Sequence, residues 1–146
     1  MQRVSEASVV IENEIRSEIG NGVLILVGIE NEDNKEDIDW LCAKIAKLRI
    51  FPDVKGIMNL SLMDTNGEAL VVSQFTLHAS TKKGNRPSYI KAARPEVAIP
   101  LYEEFVSRLT QVLGREIKTG EFGAEMKVSL INEGPVSIWI DSKSKE

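Results

Sequence analysis

The chain has 146 residues and a mass of 16.2 kDa, enough for one domain with one core and too short for two ordinary domains. Its hydrophobic content of 42% and charged content of 27% are typical of a folded protein rather than a disordered one. With only one cysteine and one histidine, the chain cannot form an internal disulfide or a Cys/His zinc site. The net charge of -4 argues against a long nucleic-acid partner. We expect a single domain over residues 1–146, without a metal or cofactor.

No apolar run approaches the roughly 20 residues that a membrane crossing needs. The longest such run, residues 23–29, contains Gly28 and suits a buried strand. The amino terminus, MQRVSEASVV, lacks the cationic start and the apolar stretch of a signal peptide. We therefore expect a cytoplasmic protein with no membrane partner.

The first predicted strand runs from Gln2 to Ile11, turns at residues 12–14 and returns toward Gly20. Residues 23–29 are nearly all apolar, as in a central strand that is covered on both faces. Asn34 or Asp33 can cap a helix that ends near Leu48. The apolar stripe of this helix predicts that it lies on a sheet, and it contains Ile38, Leu41, Cys42, Ile45 and Leu48. Because Cys42 belongs to this stripe, we interpret it as a packed residue, not a nucleophile.

The dipeptide Asn66-Gly67 predicts a hairpin between residues 57–64 and 69–77. Pro95 is suited to begin a second helix that ends at Gly114. Three strand-like segments follow, 115–122, 126–131 and 136–140, and the last two are joined by a turn-like Asn-Glu-Gly-Pro that predicts a bend between strands. The order of elements predicts a mixed α/β domain with largely antiparallel sheets and two main helices, rather than a repeated βαβ unit.

The segment SQFTLHASTKKGNRPSY, residues 73–89, carries the most suggestive chemistry. In a strand, Ser73 and Phe75 would face one way, and Gln74 and Thr76 the other. Thr76 can offer a hydroxyl to a carbonyl, Gln74 can donate an amide hydrogen bond, and Phe75 can stack on a base. Each residue type is also common in purely structural roles, so local sequence leaves both interpretations open.

Basic residues are concentrated in one stretch. Residues 79–95 contain five lysines and arginines and no acidic residue, although the whole chain carries -4. Such a stretch suits a local phosphate contact or a solvated loop. Lys82, Lys83 and Arg86 are the candidates for contact with RNA.

Several longer motifs together resemble the bacterial D-aminoacyl-tRNA deacylases along essentially the whole chain. The similar segments, in the same order, are QRVSEASV, DWLCAKIAKLRIF, MNLSL, LVVSQFTL, KGNRPS and FGAEMKVSLINEGPV. The resemblance implies hydrolysis of the ester that joins a D-amino acid, or glycine, to the 3′ terminal adenosine of tRNA. It also implies contact with the tRNA acceptor end and an α/β/β layered homodimer with active sites at the subunit interface.

The resemblance also implies roles for individual residues. Ser73 to Thr76 would lie along the aminoacyl-adenosine pocket, with Met126 lining it. Gly134 and Pro135 would be joined by a cis bond and reach into the partner's active site, held by Arg3. Their carbonyls would engage the substrate amino group and leave no room for an L side chain. The chain departs from the family pattern at His78, where tyrosine is frequent, and at Ser137, where threonine is usual.

Two catalytic schemes are consistent with these residues. In one, Thr76 is the nucleophile or an acid–base participant, although no imidazole or lysine is evidently paired with it. In the other, Thr76 and Gln74 position the ester and a water, backbone N–H groups stabilise the oxyanion and the ribose 2′-hydroxyl assists. We prefer the second scheme. The alternatives to an enzyme are a non-catalytic RNA-binding module with Phe75 as a stacking platform and a structural dimerisation domain.

Overall fold

The computed structural model describes residues 1–146, which form eight strands and three helices. The strands are β1 (Gln2–Ile11), β2 (Glu14–Ile19), β3 (Gly22–Val27), β4 (Phe51–Pro52), β5 (Met58–Leu60), β6 (Glu68–Ser73), β7 (Lys118–Thr119) and β8 (Lys127–Ser137). The helices are α1 (Lys35–Lys47), α2 (Leu62–Thr65) and α3 (Pro95–Leu113). None of these helices combines the length and the apolar composition that a membrane crossing requires.

Six strands form one curved, near-barrel sheet in the order β2-β1-β3-β6-β7, with β8 also pairing with β1. Strand β1 is antiparallel to β2, β3 and β8, whereas β3 pairs with β6, and β6 with β7, in parallel. Strands β4 and β5 form a separate antiparallel pair. The predicted mixed α/β domain with largely antiparallel pairing is confirmed.

The central strands β3 and β6 are covered on both faces, as the apolar run predicted. Val23 and Ile25 of β3 face a core that is completed by helices α1 and α3. Leu24, between them, faces a second core to which β1 contributes and against which β8 packs. This alternation follows from the period of two along a strand. The helices and the β1–β8 part of the sheet therefore enclose β3 and β6 from opposite sides.

The two main helices begin and end where capping residues predict. The side chain of Asn34 accepts hydrogen bonds from the N–H groups of Glu36 and Asp37, and the Asp37 carboxylate accepts one from the Asn34 N–H at 2.9 Å. Helix α3 has Pro95 in its first turn and ends at Gly114, whose φ of 70° is the left-handed conformation that favours glycine. Both predictions are confirmed.

The predicted hairpin at Asn66-Gly67 is wrong. Ser61 and Asp64 form a capping box that begins the short helix α2, and Asn66 ends it with a left-handed φ of 54°. Strand β5 pairs with β4, and β6 pairs with β3 and β7. The Asn-Gly dipeptide therefore caps a helix, because the strongly apolar β6 is buried at the centre of the sheet instead of pairing with its neighbour in sequence.

The predicted bend between two strands at residues 132–135 is also wrong in its topology. Residues 127–137 form the single strand β8, and both of its ends pair antiparallel with β1. Ser137 lies opposite Gln2 and Asn132 lies opposite Val4, so four residues of β8 face one residue of β1. The 132–137 loop therefore bulges outward from one continuous pairing. Of the predicted strand 115–122, only Lys118–Thr119 pairs.

Candidate functional site

A cavity of about 510 Å³ opens where the parallel strands β3 and β6 end side by side. Val27 and Ser73 are the last paired residues of these strands. The cavity is lined mainly by apolar side chains, with polar groups from Gln2, Ser73, Gln74 and Thr76. None of its lining residues is ionisable. Chemistry in this cavity must therefore rely on hydroxyls, amides, backbone groups, water and the ligand itself.

The chain leaves the sheet immediately after Ser73, so the predicted strand through residues 73–77 is wrong. Gln74 is still extended and donates its N–H to the Val27 carbonyl at 2.7 Å, and residues 75–78 then form a 3₁₀ turn. Because residues 75–78 form this turn, the side chains do not alternate between two faces as they would in a strand. Ser73, Gln74, Phe75 and Thr76 consequently all line the same cavity.

The polar side chains of this segment contact each other. Gln74 Nε2 donates a hydrogen bond to Thr76 Oγ1 at 2.9 Å. Because a hydroxyl is both a donor and an acceptor, Thr76 can still donate its own hydrogen to a ligand. The backbone N–H groups of Phe75 and Thr76 take part in none of the hydrogen bonds outside helices and strands. The first N–H groups of a helical turn have no partner within it, so the 75–78 turn begins with two free donors.

Two aromatic rings stand at the rim of the cavity. Phe75 is 57% exposed, and its ring meets that of Tyr89 edge to face, with centroids 5.0 Å apart and an interplanar angle of 79°. An exposed aromatic pair of this kind can stack on a nucleobase. The sequence-based prediction missed Tyr89, although it directly follows the KGNRPS motif.

Met126 lines the same cavity from the segment that leads into β8. It packs on Gly120, where a Cβ atom would lie 2.6 Å from the Met126 sulfur. Phe122 and Ala124, which the sequence-based prediction also missed, line the cavity beside it. Of the eight residues predicted to act in catalysis or substrate binding, five therefore share one cavity: Ser73, Gln74, Phe75, Thr76 and Met126.

Gly134, Pro135 and Arg3 do not line the cavity of their own chain. The peptide bond between Gly134 and Pro135 is cis, and both residues are exposed. Arg3 donates hydrogen bonds to the carbonyls of Glu133 at 2.8 Å and Ile50 at 2.6 Å. A Cβ atom on Gly134 would lie 2.9 Å from Arg3 Nη2, so the guanidinium occupies space that a side chain at position 134 would need.

The 132–137 loop is also held by its own side chains. Asn132 Oδ1 accepts a hydrogen bond from the Val136 N–H at 2.7 Å, and Asn132 Nδ2 donates to Ser137 Oγ at 2.9 Å. Gln2 Nε2 donates to the same Ser137 hydroxyl at 3.3 Å. The hydroxyl of Ser137 thus accepts hydrogen bonds that hold the loop in place.

The basic candidates are exposed. Lys82, Lys83 and Arg86 lie in a loop that is closed by two backbone hydrogen bonds between Ser80 and Ser88, at 2.7 and 2.9 Å. None of the three is within ion-pair distance of a carboxylate. Tyr89 directly follows this loop, so the three unpaired basic residues are close in sequence to the aromatic rim of the cavity.

Cys42 and His78 are not in the cavity. Cys42 is fully buried between α1 and α3, and burial raises the pKa of its thiol to about 12. His78 Nδ1 lies 3.1 Å from the Glu30 carboxylate. The prediction that Cys42 is a packed residue is confirmed, and neither side chain is placed to serve Thr76 as a base.

Comparison with known proteins identifies similar chains. A family model described as D-Tyr-tRNA(Tyr) deacylase matches residues 1–141. D-aminoacyl-tRNA deacylases of Flavobacterium psychrophilum and Bacteroides thetaiotaomicron are 65% and 64% identical over 146 residues, which is 100% of this chain and 97% of each relative.

Solved structures are similar over most of the chain as well. A c-Myc DNA Unwinding Element Binding Protein has a TM-score of 0.89 and 41% identity, and the match covers 94% of this chain and 93% of that protein. A probable eukaryotic D-amino acid tRNA deacylase has a TM-score of 0.80 at 16% identity, with 92% of each chain covered. The similarity to this second structure shows a common fold.

Proposed function

Because this chain belongs to the D-Tyr-tRNA(Tyr) deacylase family and is a hydrolase that acts on D-aminoacyl-tRNA, we propose that the ester is cleaved in the cavity beside the 75–78 turn. The observation that carries this proposal is the convergence of Ser73, Gln74, Phe75 and Thr76 on one cavity without an ionisable side chain. An aminoacyl ester is already activated, so orientation and oxyanion stabilisation can supply much of the required acceleration.

In the proposed reaction, a water molecule adds to the ester carbonyl carbon and gives a tetrahedral oxyanion. The bond from this carbon to the ribose 3′-oxygen then breaks, and the proton lost by the water ends on the 3′-oxygen. Free amino acid and tRNA with a 3′-hydroxyl are the products. We assign the relay of this proton to the neighbouring 2′-hydroxyl, because none of the residues that line the cavity is ionisable.

The protein groups position and stabilise the reacting atoms. The free N–H groups of Phe75 and Thr76 are suited to bind the oxyanion. The Gln74 amide holds the Thr76 hydroxyl at 2.9 Å, so that this hydroxyl orients the ester or the water. A threonine nucleophile would need a base, and the cavity offers none. Ser73 lines the same pocket at the end of β6.

We propose that chirality is read by Gly134 and Pro135 of a second copy of this chain. Their exposure, and their position outside the cavity of their own chain, support a homodimer in which the 132–137 loop enters the partner's cavity. Main-chain carbonyls of the loop bind the substrate amino group and collide with an L side chain. Glycine has no side chain to collide, so glycyl-tRNA is accepted as well.

The acceptor end of tRNA is proposed to lie across the rim. Phe75, with Tyr89 at its edge, offers a surface for the terminal adenine, and Lys82, Lys83 and Arg86 contact the phosphates. A tRNA substrate also implies a cytoplasmic location. The rival function is a non-catalytic nucleic-acid-binding module, which the exposed cations and the name of one structural relative favour.

One experiment separates these functions. The purified protein is incubated with D-Tyr-tRNA and with L-Tyr-tRNA, and the release of tyrosine is followed. We expect hydrolysis of the D-ester alone. Hydrolysis of neither ester, with tRNA still bound, would favour the binding module, and equal hydrolysis of both would remove the chirality filter.

A further inference from the structure

The 75–78 turn lies between two cavities. Phe75 and Thr76 line the proposed catalytic cavity, whereas Leu77 and His78 line a second cavity of about 390 Å³ between the end of β3, helix α1 and residues 137–143. With a cavity on either side, the turn has fewer packed neighbours than a segment in a close-packed interior. Specific contacts of its residues therefore contribute to the position of Thr76.

His78 makes a side-chain contact from the end of the turn that faces the second cavity. Its Nδ1 lies 3.1 Å from Glu30 Oε1, and its Nε2 is buried and has no hydrogen-bond partner. The edge of the ring rests on Gly28, where a Cβ atom would lie 2.8 Å from Nε2 and 2.9 Å from Cδ2. The imidazole is therefore held against a glycine and tethered at one atom to Glu30.

The backbone of Glu30 is held by neighbours of residues that line the catalytic cavity. Its N–H donates to Asp33 Oδ2 at 2.8 Å, and Glu30 forms an antiparallel bridge with Ala92. The next residue, Ala93, donates its N–H to the Ile29 carbonyl at 2.8 Å and lines the catalytic cavity. The contact between His78 and Glu30 thus joins the 75–78 turn to the bridged segments that contain Ile29 and Ala93, two residues of the cavity lining.

We propose that His78, through its contact with Glu30, is a positioning residue that holds Thr76 and the free N–H groups of the 75–78 turn in their productive place. This inference rests on the function proposed above. It assigns His78 no contact with substrate. Misplacement of a reacting group by about 1 Å can lower a rate on the order of 100-fold, so removal of the tether is expected to affect turnover more than binding.

The test compares two substitutions of His78 by steady-state deacylation of D-Tyr-tRNA. His78→Asn keeps a donor near the position of Nδ1, and His78→Leu keeps bulk without a donor. We expect His78→Leu to lower kcat roughly 10- to 100-fold with KM changed less than about three-fold, because the misplaced groups stabilise mainly the transition state. His78→Asn should retain most of the wild-type kcat.

Glu30→Leu provides an independent variant if a His78 variant does not fold, and it should reproduce the kcat loss. Its matched control is Glu32→Leu, which removes a carboxylate two residues away and should leave kcat unchanged. Wild-type kcat in folded His78→Leu or Glu30→Leu would overturn the inference alone. A wild-type protein that releases no tyrosine would overturn both the proposed function and this inference.

Discussion

Arg3 Nε donates a hydrogen bond to the carbonyl oxygen of Glu133, the residue that precedes Gly134, at 2.8 Å. Its Nη1 donates a hydrogen bond to the carbonyl of Ile50, a buried residue of the core that helices α1 and α3 complete. One guanidinium therefore connects the exposed 132–137 loop to the interior. If this loop enters the cavity of a partner, its precision depends on this connection.

Arg3→Met is expected to lower kcat/KM for D-Tyr-tRNA by roughly 10- to 100-fold, because the loop loses its support. The free energy of unfolding should fall by about 1–3 kcal/mol, since two carbonyls lose a charged donor. Arg16→Met, at an exposed arginine of β2, changes the charge equally and serves as the control. Wild-type kinetics in Arg3→Met, with L-Tyr-tRNA still rejected, would show that the loop needs no such support.

Gly134→Ala is expected to abolish most turnover of D-Tyr-tRNA while the chain remains folded. The new Cβ would lie 2.9 Å from both Arg3 Nη2 and Val136 Cγ2, so these side chains must shift, and the φ of 138° is strained for any residue other than glycine. The matched control is Gly56→Ala, which also has a positive φ, of 78°, but has no atom within 4 Å of the new Cβ. Kinetics and thermal unfolding measured together separate the two effects. Equal turnover in the two variants would contradict the role of the loop.

Thr76→Ala tests the choice between a nucleophile and a positioning hydroxyl. We expect about a 10-fold loss in kcat, which is the effect of one hydrogen bond of roughly 1–1.5 kcal/mol. D-Tyr-tRNA ending in 2′-deoxyadenosine should be a much poorer substrate for the wild-type protein. Complete inactivity of Thr76→Ala, with normal turnover of the 2′-deoxy substrate, would instead support the nucleophile.

Replacement of Lys82, Lys83 and Arg86 by glutamine should raise KM for the tRNA substrate and leave kcat nearly unchanged, because phosphate contacts position the tRNA without taking part in the reaction. The logarithmic salt dependence of binding should become shallower by roughly 0.7–0.9 for each phosphate that the protein no longer neutralises. A triple control at other basic positions, Arg16, Lys47 and Lys55, has the same charge change. Equal effects of the two triple variants would mean that only net charge matters.

Cys42 is expected to resist thiol reagents at pH 8 in the folded protein. With its pKa raised to about 12 by burial, only about one thiol in ten thousand is ionised at that pH, and the sulfur is inaccessible. Reaction with a chromogenic disulfide should become rapid and stoichiometric in denaturant. Fast labelling of the native protein would show that the packing between α1 and α3 opens readily.

Local sequence signals predicted the elements whose ends are set by nearby residues. The reciprocal bonds of Asn34 and Asp37 define the start of α1, and Pro95 and Gly114 define the limits of α3. These signals span three residues or fewer, or depend on the φ preference of one residue, so they are present in the sequence itself. The same holds for β3, whose apolar composition indicates burial on both faces.

The failed predictions concern partners that are distant along the chain. Asn66-Gly67 is compatible with a hairpin turn and with a helix cap. It forms the cap because β6 pairs in parallel with β3 and not with the preceding strand. The side chains after Ser73 were predicted to alternate between two faces of a strand. Instead, the Gln74 N–H donates a hydrogen bond to the Val27 carbonyl, and the chain then turns. Val27 is far from this segment in sequence, and the loop of residues 79–88 separates Tyr89 from the 75–78 turn, so patterns of a few residues could not reveal the shared cavity or its aromatic rim.

The amino-acid sequence by itself determined the class of fold, the two helices with their caps and, through motifs spread over the chain, the residues 73–76, 126 and 134–135 as those to examine. Only the tertiary structure decided that Ser73 to Thr76 share one cavity without an ionisable side chain, and that Gly134 and Pro135 lie outside the cavity of their own chain. The reason is physical: caps and periodicity act over a few residues, whereas a cavity is formed by strand pairings between residues dozens of positions apart.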